Sequence, residues 1–79
     1  ITLQREAVDL RDVVSRAREV VAGDVAARDQ ILQIDLPDEP LWVDGDAVRL
    51  AQVLENLLVN ASKYNVRGGR IDLSARRDG

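Results

Sequence analysis

Four side chains in one short stretch could together handle a metal-bound polyanion: Asn56, Asn60, Lys63 and Tyr64. A carboxamide oxygen is a neutral, hard ligand suited to Mg²⁺, and its NH₂ group can donate to phosphate oxygens. Lysine adds a compact positive charge, and tyrosine adds a flat apolar face with a hydroxyl at its tip. Asparagine is a poor helix former because its side chain competes for backbone hydrogen bonds. Two of them four residues apart inside a helical stretch therefore need a reason. The basic residues sharpen the point: of eleven, ten are Arg, and Lys63 is the single Lys. A point charge stands where the rest of the chain uses guanidinium forks. Taken alone, Asn-x-x-x-Asn is more often a solvent edge than a ligand set, with a surface Lys and a Tyr that closes the core.

The element that carries these groups is a helix. Leu50, Val53, Leu54, Leu57, Leu58 and Ala61 recur at helical spacing, which predicts a helix from Ala47 to about Tyr64 with Asp46 as its N-cap. On a wheel at about 100° per residue those six fall within roughly 140°, an apolar stripe to bury. Arg49, Asn56, Asn60 and Lys63 fall within about 60° of one another beside that stripe, with Tyr64 between the two sets. Two amides, an ammonium and a phenol ring thus run up one edge of a core helix.

The remaining elements form a frame for that helix. Residues 1–8 read as a lead-in with a short strand around Arg5 to Val8, and Asp9 caps a first helix from Leu10 to about Arg28. Its core face is Leu10, Val13, Val14, Ala17, Val20, Val21 and Val25, and Gly23 is a place for it to loosen. Residues 31–36 alternate as a half-buried strand with Leu32, Ile34 and Leu36 inward. Pro37 to Pro40 is a turn, and Leu41 to Val43 is a second strand that ends at Asp44-Gly45. Trp42 reads as core beside the first helix. Asn65 to Gly69 is a loop, and residues 70–76 alternate again with Ile71, Leu73 and Ala75 inward. The order predicts an α+β two-layer sandwich, with helices packed on one face of a mixed sheet. The last strand's edge is open to pairing with another copy, so a homodimer by strand pairing is one expected partner arrangement.

Composition removes several function classes. Net charge is −3 with acids and bases interspersed, which gives no basic stripe for nucleic acid and no polybasic face for a membrane surface. With no Cys and no His, disulfides, thiolate metal sites, an imidazole base and a phospho-accepting histidine are all excluded from this chain. The acids Asp44 and Asp46 are explained by a strand-end turn and a cap rather than a metal. No apolar run reaches the roughly 18 residues of a membrane span. At 79 residues the chain is one domain or part of one. The absence of Met at position 1 reads as a piece of a longer protein.

The run from Asp46 to Tyr64 (DAVRLAQVLENLLVNASKY) resembles the asparagine box of sensor histidine kinases, members of the ATPase superfamily that also holds chaperone, topoisomerase and mismatch-repair ATPases. Val8 to Leu10 (Val-Asp-Leu), Gly45-Asp46 and Gly68-Gly69 extend the resemblance over essentially all 79 residues. It implies an incomplete Bergerat-type ATPase fold, 1–79 being the N-terminal half of a catalytic domain. It implies ATP and Mg²⁺ as cofactors of the intact domain. Asn60 would coordinate the Mg²⁺ that bridges the ATP phosphates, Asn56 would support metal and phosphates, Lys63 would contact phosphate, and Tyr64 would pack near adenine or ribose. Arg49 and Asp46 would anchor the helix. Hydrolytic relatives place a Glu where this chain has Asn56; an amide cannot serve as that general base, which favours phosphoryl transfer over hydrolysis.

The family's glycine boxes, with the Asp that recognises adenine and the lid, would follow beyond Gly79. The helical hairpin bearing the phospho-accepting His would precede Ile1. The implied partners are ATP, the kinase's own dimerisation and phosphoacceptor helices, and a response regulator, with no nucleic acid. The implied location is cytoplasmic, as part of a sensor that can be membrane-anchored. Two other readings stay open on the residues alone. One is a degenerate or truncated relative kept for protein contacts or dimerisation; the other is an anti-sigma-factor-type serine kinase.

Overall fold

A computed structural model describes residues 5–77. Residues 1–4 of the lead-in and the chain end at Gly79 lie outside the described residues. Six elements follow in order: β1 (Glu6–Asp9), α1 (Leu10–Ala27), β2 (Ile31–Asp35), β3 (Trp42–Gly45), α2 (Ala47–Lys63) and β4 (Arg70–Ser74). Every element expected from the sequence is present, within a residue or two at most ends. The helix α1 runs unbroken through Gly23.

Where one mixed sheet was expected, the described strands form two separate ladders. β1 pairs antiparallel with β3, placing Val8 opposite Val43 and Asp9 opposite Trp42. β2 pairs parallel with β4, placing Leu32 opposite Ile71 and Ile34 opposite Leu73. Consecutive strands β2 and β3 do not pair with each other. A parallel pair needs a long crossover, and the segment from β3 through α2 supplies it. The last strand thus spends one edge on β2.

The caps follow local chemistry. Asp9 caps α1 by accepting from the Arg11 N–H, and Asp46 caps α2 by accepting from the N–H groups of Val48 and Arg49 at 3.0 and 3.3 Å. α1 closes in a Schellman arrangement: Gln30 N–H donates to the Val25 carbonyl and Asp29 N–H to that of Ala26. Asp29 takes the left-handed conformation that this motif requires, at φ 51°.

Two apolar clusters lie between helices and ladders. Ala17, Val21, Leu58 and Ile71 form one, flanked by Val25, Leu32, Val59 and Leu73. Val8, Val13 and Ala51 form the other, flanked by Leu10, Ala47 and Leu50. Leu54 packs against both.

Two core expectations are corrected, besides Val20, which is 55% exposed rather than on the core face of α1. Trp42 is 62% exposed rather than packed on α1, because Leu41 takes the inward place. The Leu41 N–H donates to Asp9 Oδ1 at 3.1 Å and its carbonyl accepts from Leu10 N–H at 2.8 Å; alternation along the strand then turns Trp42 outward. The second correction concerns the phase of α2. Val53 and Leu57 are 58% and 60% exposed and Ala61 is exposed, while Ala51, Leu58 and Ser62 are buried. The buried face is rotated by about 80° from the predicted stripe. Small residues at positions 51 and 62 let α2 lie against α1, and the bulkier Val53 and Leu57 are left at the margin.

Candidate functional site

The exposed face of α2 carries the groups singled out at the start. Asn56, Asn60 and Lys63 are exposed along the helix, and Tyr64, its C-cap, is 79% exposed. With the core face rotated, the amides point away from the core instead of lying at its edge. Among the described residues neither amide side chain has a hydrogen-bond partner, so their oxygens and NH₂ groups are free for a ligand. The Lys63 ammonium lies 5.7 Å from the centre of the Tyr64 ring, a cation–π contact at an exposed site. Arg49 is exposed on the same face, one turn into the helix.

Both ends of α2 are tightly fixed. At the start, the Asp46 carboxylate holds the first turn, and Gly45 sits so close to Leu50 that an added Cβ would meet its Cδ1 at 3.2 Å. At the end, Tyr64 N–H donates to the Asn60 carbonyl at 2.9 Å. The loop that follows is closed by Asn65, whose Oδ1 accepts from Val66 N–H and whose Nδ2 donates to the Arg70 carbonyl. Gly68, at φ 77°, donates its N–H to the Arg28 carbonyl. That conformation suits glycine, and it falls in the loop expected from Asn65 to Gly69.

One polar pair near this end was not anticipated. Ser62 is fully buried and Gln30 is 7% exposed. Ser62 Oγ donates to Gln30 Oε1 at 2.5 Å, while Gln30 Nε2 donates to the carbonyls of Ser62 at 2.9 Å and Val66 at 3.2 Å. A single carboxamide therefore ties the α1–β2 junction to the last turn of α2 and the loop behind it. A polar residue on a buried helix face breaks apolar periodicity, so pattern alone gives no sign of it.

The strongest electrostatic feature lies elsewhere. Asp9 is buried against Arg11, whose Nε and guanidinium nitrogens donate to its carboxylate at 3.0–3.3 Å. These bonds hold the Asp9 carboxyl below its ordinary value; burial pushes the other way, and the N–H groups of Leu41 and Arg11 add to the lowering. The same carboxylate raises Arg11 further. Arg11 also donates to the Asp38 carbonyl at 2.7 Å, which pins the turn before β3. This fork is structural.

Among the described residues no group of three or more acidic, His or Cys side chains gathers to hold a metal. The donor set that α2 offers is one or two neutral oxygens. Mg²⁺ requires near-octahedral oxygen coordination, so two amides can complete the shell of an ion that arrives with phosphates and water, but cannot cage one alone.

No family model matches the sequence. The chain is 35% identical, over 98% of its length, to the alginate biosynthesis sensor protein KinB of Pseudomonas aeruginosa. It is 48% identical over 75% of its length to the sensor histidine kinase TrcS of Mycobacterium tuberculosis. It spans only 13% and 11% of those two proteins. Among solved structures, a mycobacterial sensor histidine kinase, MprB, superposes with a TM-score of 0.81 at 28% identity, over 96% of this chain and 48% of that one. The cytoplasmic segment of histidine kinase QseC gives 0.85 at 18% identity over 92% of this chain and 48% of its own, a likeness of fold alone. With sensor kinases aligned along nearly its whole length and the same fold found in a solved sensor kinase, the chain belongs to the sensor histidine kinase family.

Proposed function

We propose that this chain contributes the metal-and-phosphate wall of an Mg-ATP site, and that the intact protein transfers the γ-phosphoryl group to a histidine in two-component signalling, with a response regulator downstream. The observation that carries this is the pair of unpartnered amides, Asn56 and Asn60, exposed on one face of a helix whose two ends are fixed. When bound, Mg²⁺ supplies charge neutralisation of the phosphates. Asn60 would offer its amide oxygen to that ion, and Asn56, a turn earlier, would support metal and phosphate. Lys63 would place its ammonium on phosphate, and Tyr64 would present its ring to adenine or ribose. Work of this kind is positioning and charge stabilisation, with no covalent role for the residues of this chain. Asn56 cannot accept a proton from water, so the site favours transfer over hydrolysis. Relatives named as sensor histidine kinases support a histidine acceptor over a serine one.

The test is calorimetric titration of Mg-ATP into the intact protein and its Asn60→Ala variant. The expected outcome is binding by the former and its loss in the latter, with the melting temperature not lowered because the exposed Asn60 side chain makes no hydrogen bond. Equal affinity in both would overturn the assignment.

A further inference from the structure

The exposed groups of α2 differ in how they are held. Asn56 sits mid-helix, where backbone bonds on both sides fix it. Asn60, Lys63 and Tyr64 sit in or beside the last turn, where carbonyls lack partners within the helix and fraying begins. Here the Ser62 carbonyl accepts from Gln30 Nε2 at 2.9 Å, with a longer bond from Asn65 N–H at 3.4 Å. The same Gln30 amide donates to the Val66 carbonyl in the following loop, and its oxygen accepts from the Ser62 hydroxyl. All three hydrogen-bonding positions that this amide uses are directed at residues 62–66. Its own backbone is fixed in turn, since Gln30 N–H donates to Val25 in the closing motif of α1. An apolar pair would fill the same space without setting the height or twist of the turn.

We infer that Gln30 and Ser62 are positioning residues for nucleotide binding: the clamp fixes the last turn of α2 so that Asn60, Lys63 and Tyr64 meet the phosphates and base together. This rests on the Mg-ATP reading given above. Neither residue touches the ligand, because Ser62 lies on the helix face opposite Asn60 and both are buried. The effect is carried by the backbone of one turn.

The decisive variant is the double substitution Gln30→Leu with Ser62→Ala in the intact protein. Replacing both partners of a buried polar pair by apolar groups of similar shape costs little stability, whereas removing one strands the other. The fold is therefore expected to survive, since the Ser62 and Val66 carbonyls keep bonds from Asn65 N–H and Gly69 N–H, with a melting temperature above that of Gln30→Leu alone. Mg-ATP affinity is expected to fall about threefold to tenfold, the loss that one or two neutral hydrogen bonds can account for. In autophosphorylation, KM for Mg-ATP should rise by a similar factor with kcat less affected. A purely structural role would instead lower the active fraction, so apparent kcat would drop at constant KM. Ser62→Ala alone, assayed well below its melting temperature, is the milder variant with the same expected direction. Wild-type affinity and KM in both variants, beside an Asn60→Ala control that loses binding, would overturn the positioning role and leave the Mg-ATP reading intact. A wild-type protein that does not bind Mg-ATP would sink both.

Discussion

At the scale of single residues, the carboxylate of Asp9 is buried and bonded to Arg11 and Leu41, and its effect on stability has a definite sign. Its carboxyl is held below the ordinary carboxylate value near 3.8, chiefly by the Arg11 side chain. A depressed folded pKa contributes stability that is complete above the unfolded value and is lost as pH falls through the folded one. Unfolding midpoints should therefore decline as pH drops below about 4, and Asp9→Asn should flatten that decline. A denaturant titration at several acidic pH values checks it; parallel curves for both proteins would contradict the linkage. The caps at Asp9 and Asp46 were legible in the sequence because capping is decided within three residues. The Leu41 N–H that completes the Asp9 site was not, because Leu41 lies 32 positions away along the chain. Gln30 and Ser62 escaped for the same reason, being equally far apart.

At the scale of elements, helix existence and ends were readable, but the rotation of α2 was not. A wheel weights Leu57 and Leu58 alike, and only the partner helix decides which is buried. The consequence is measurable. Leu58→Ala should cost about 2–5 kcal/mol, the range for emptying a buried leucine site, whereas Leu57→Ala next to it should stay within about 0.5 kcal/mol. Comparable losses at both positions would mean the predicted stripe was right after all. Strand alternation misplaced Trp42 for a related reason: bulk suggested burial, while the bonds that hold Leu41 set the parity. Asp29 offers a backbone counterpart. At φ 51°, Asp29→Val should cost about 1–2 kcal/mol, since a β-branched residue tolerates that region badly. An unchanged melting curve would argue against the left-handed cap.

At the scale of the whole molecule, the fold class was legible because the order of elements and their periods left few alternatives. The split into two ladders was not, since pairing partners are set by distant contacts. The principal extents, 37 × 32 × 17 Å, describe a slab about one helix layer and one strand layer thick. On such a slab the face of α2 is convex, whereas small-molecule sites are concave and enclose most of their ligand. The 79 residues by themselves are therefore expected to show no measurable Mg-ATP affinity in calorimetry, and micromolar binding would show that one wall suffices.

The two ladders share no strand, so no backbone hydrogen-bond network of one sheet crosses from one half to the other among the described residues. Mechanical communication between halves must pass through the helices and through Leu54, the one side chain packed on both clusters. Leu54→Ala is therefore expected to weaken both clusters at once. The loss would fall in the middle of α2, whose end is anchored to one strand pair and whose beginning to the other.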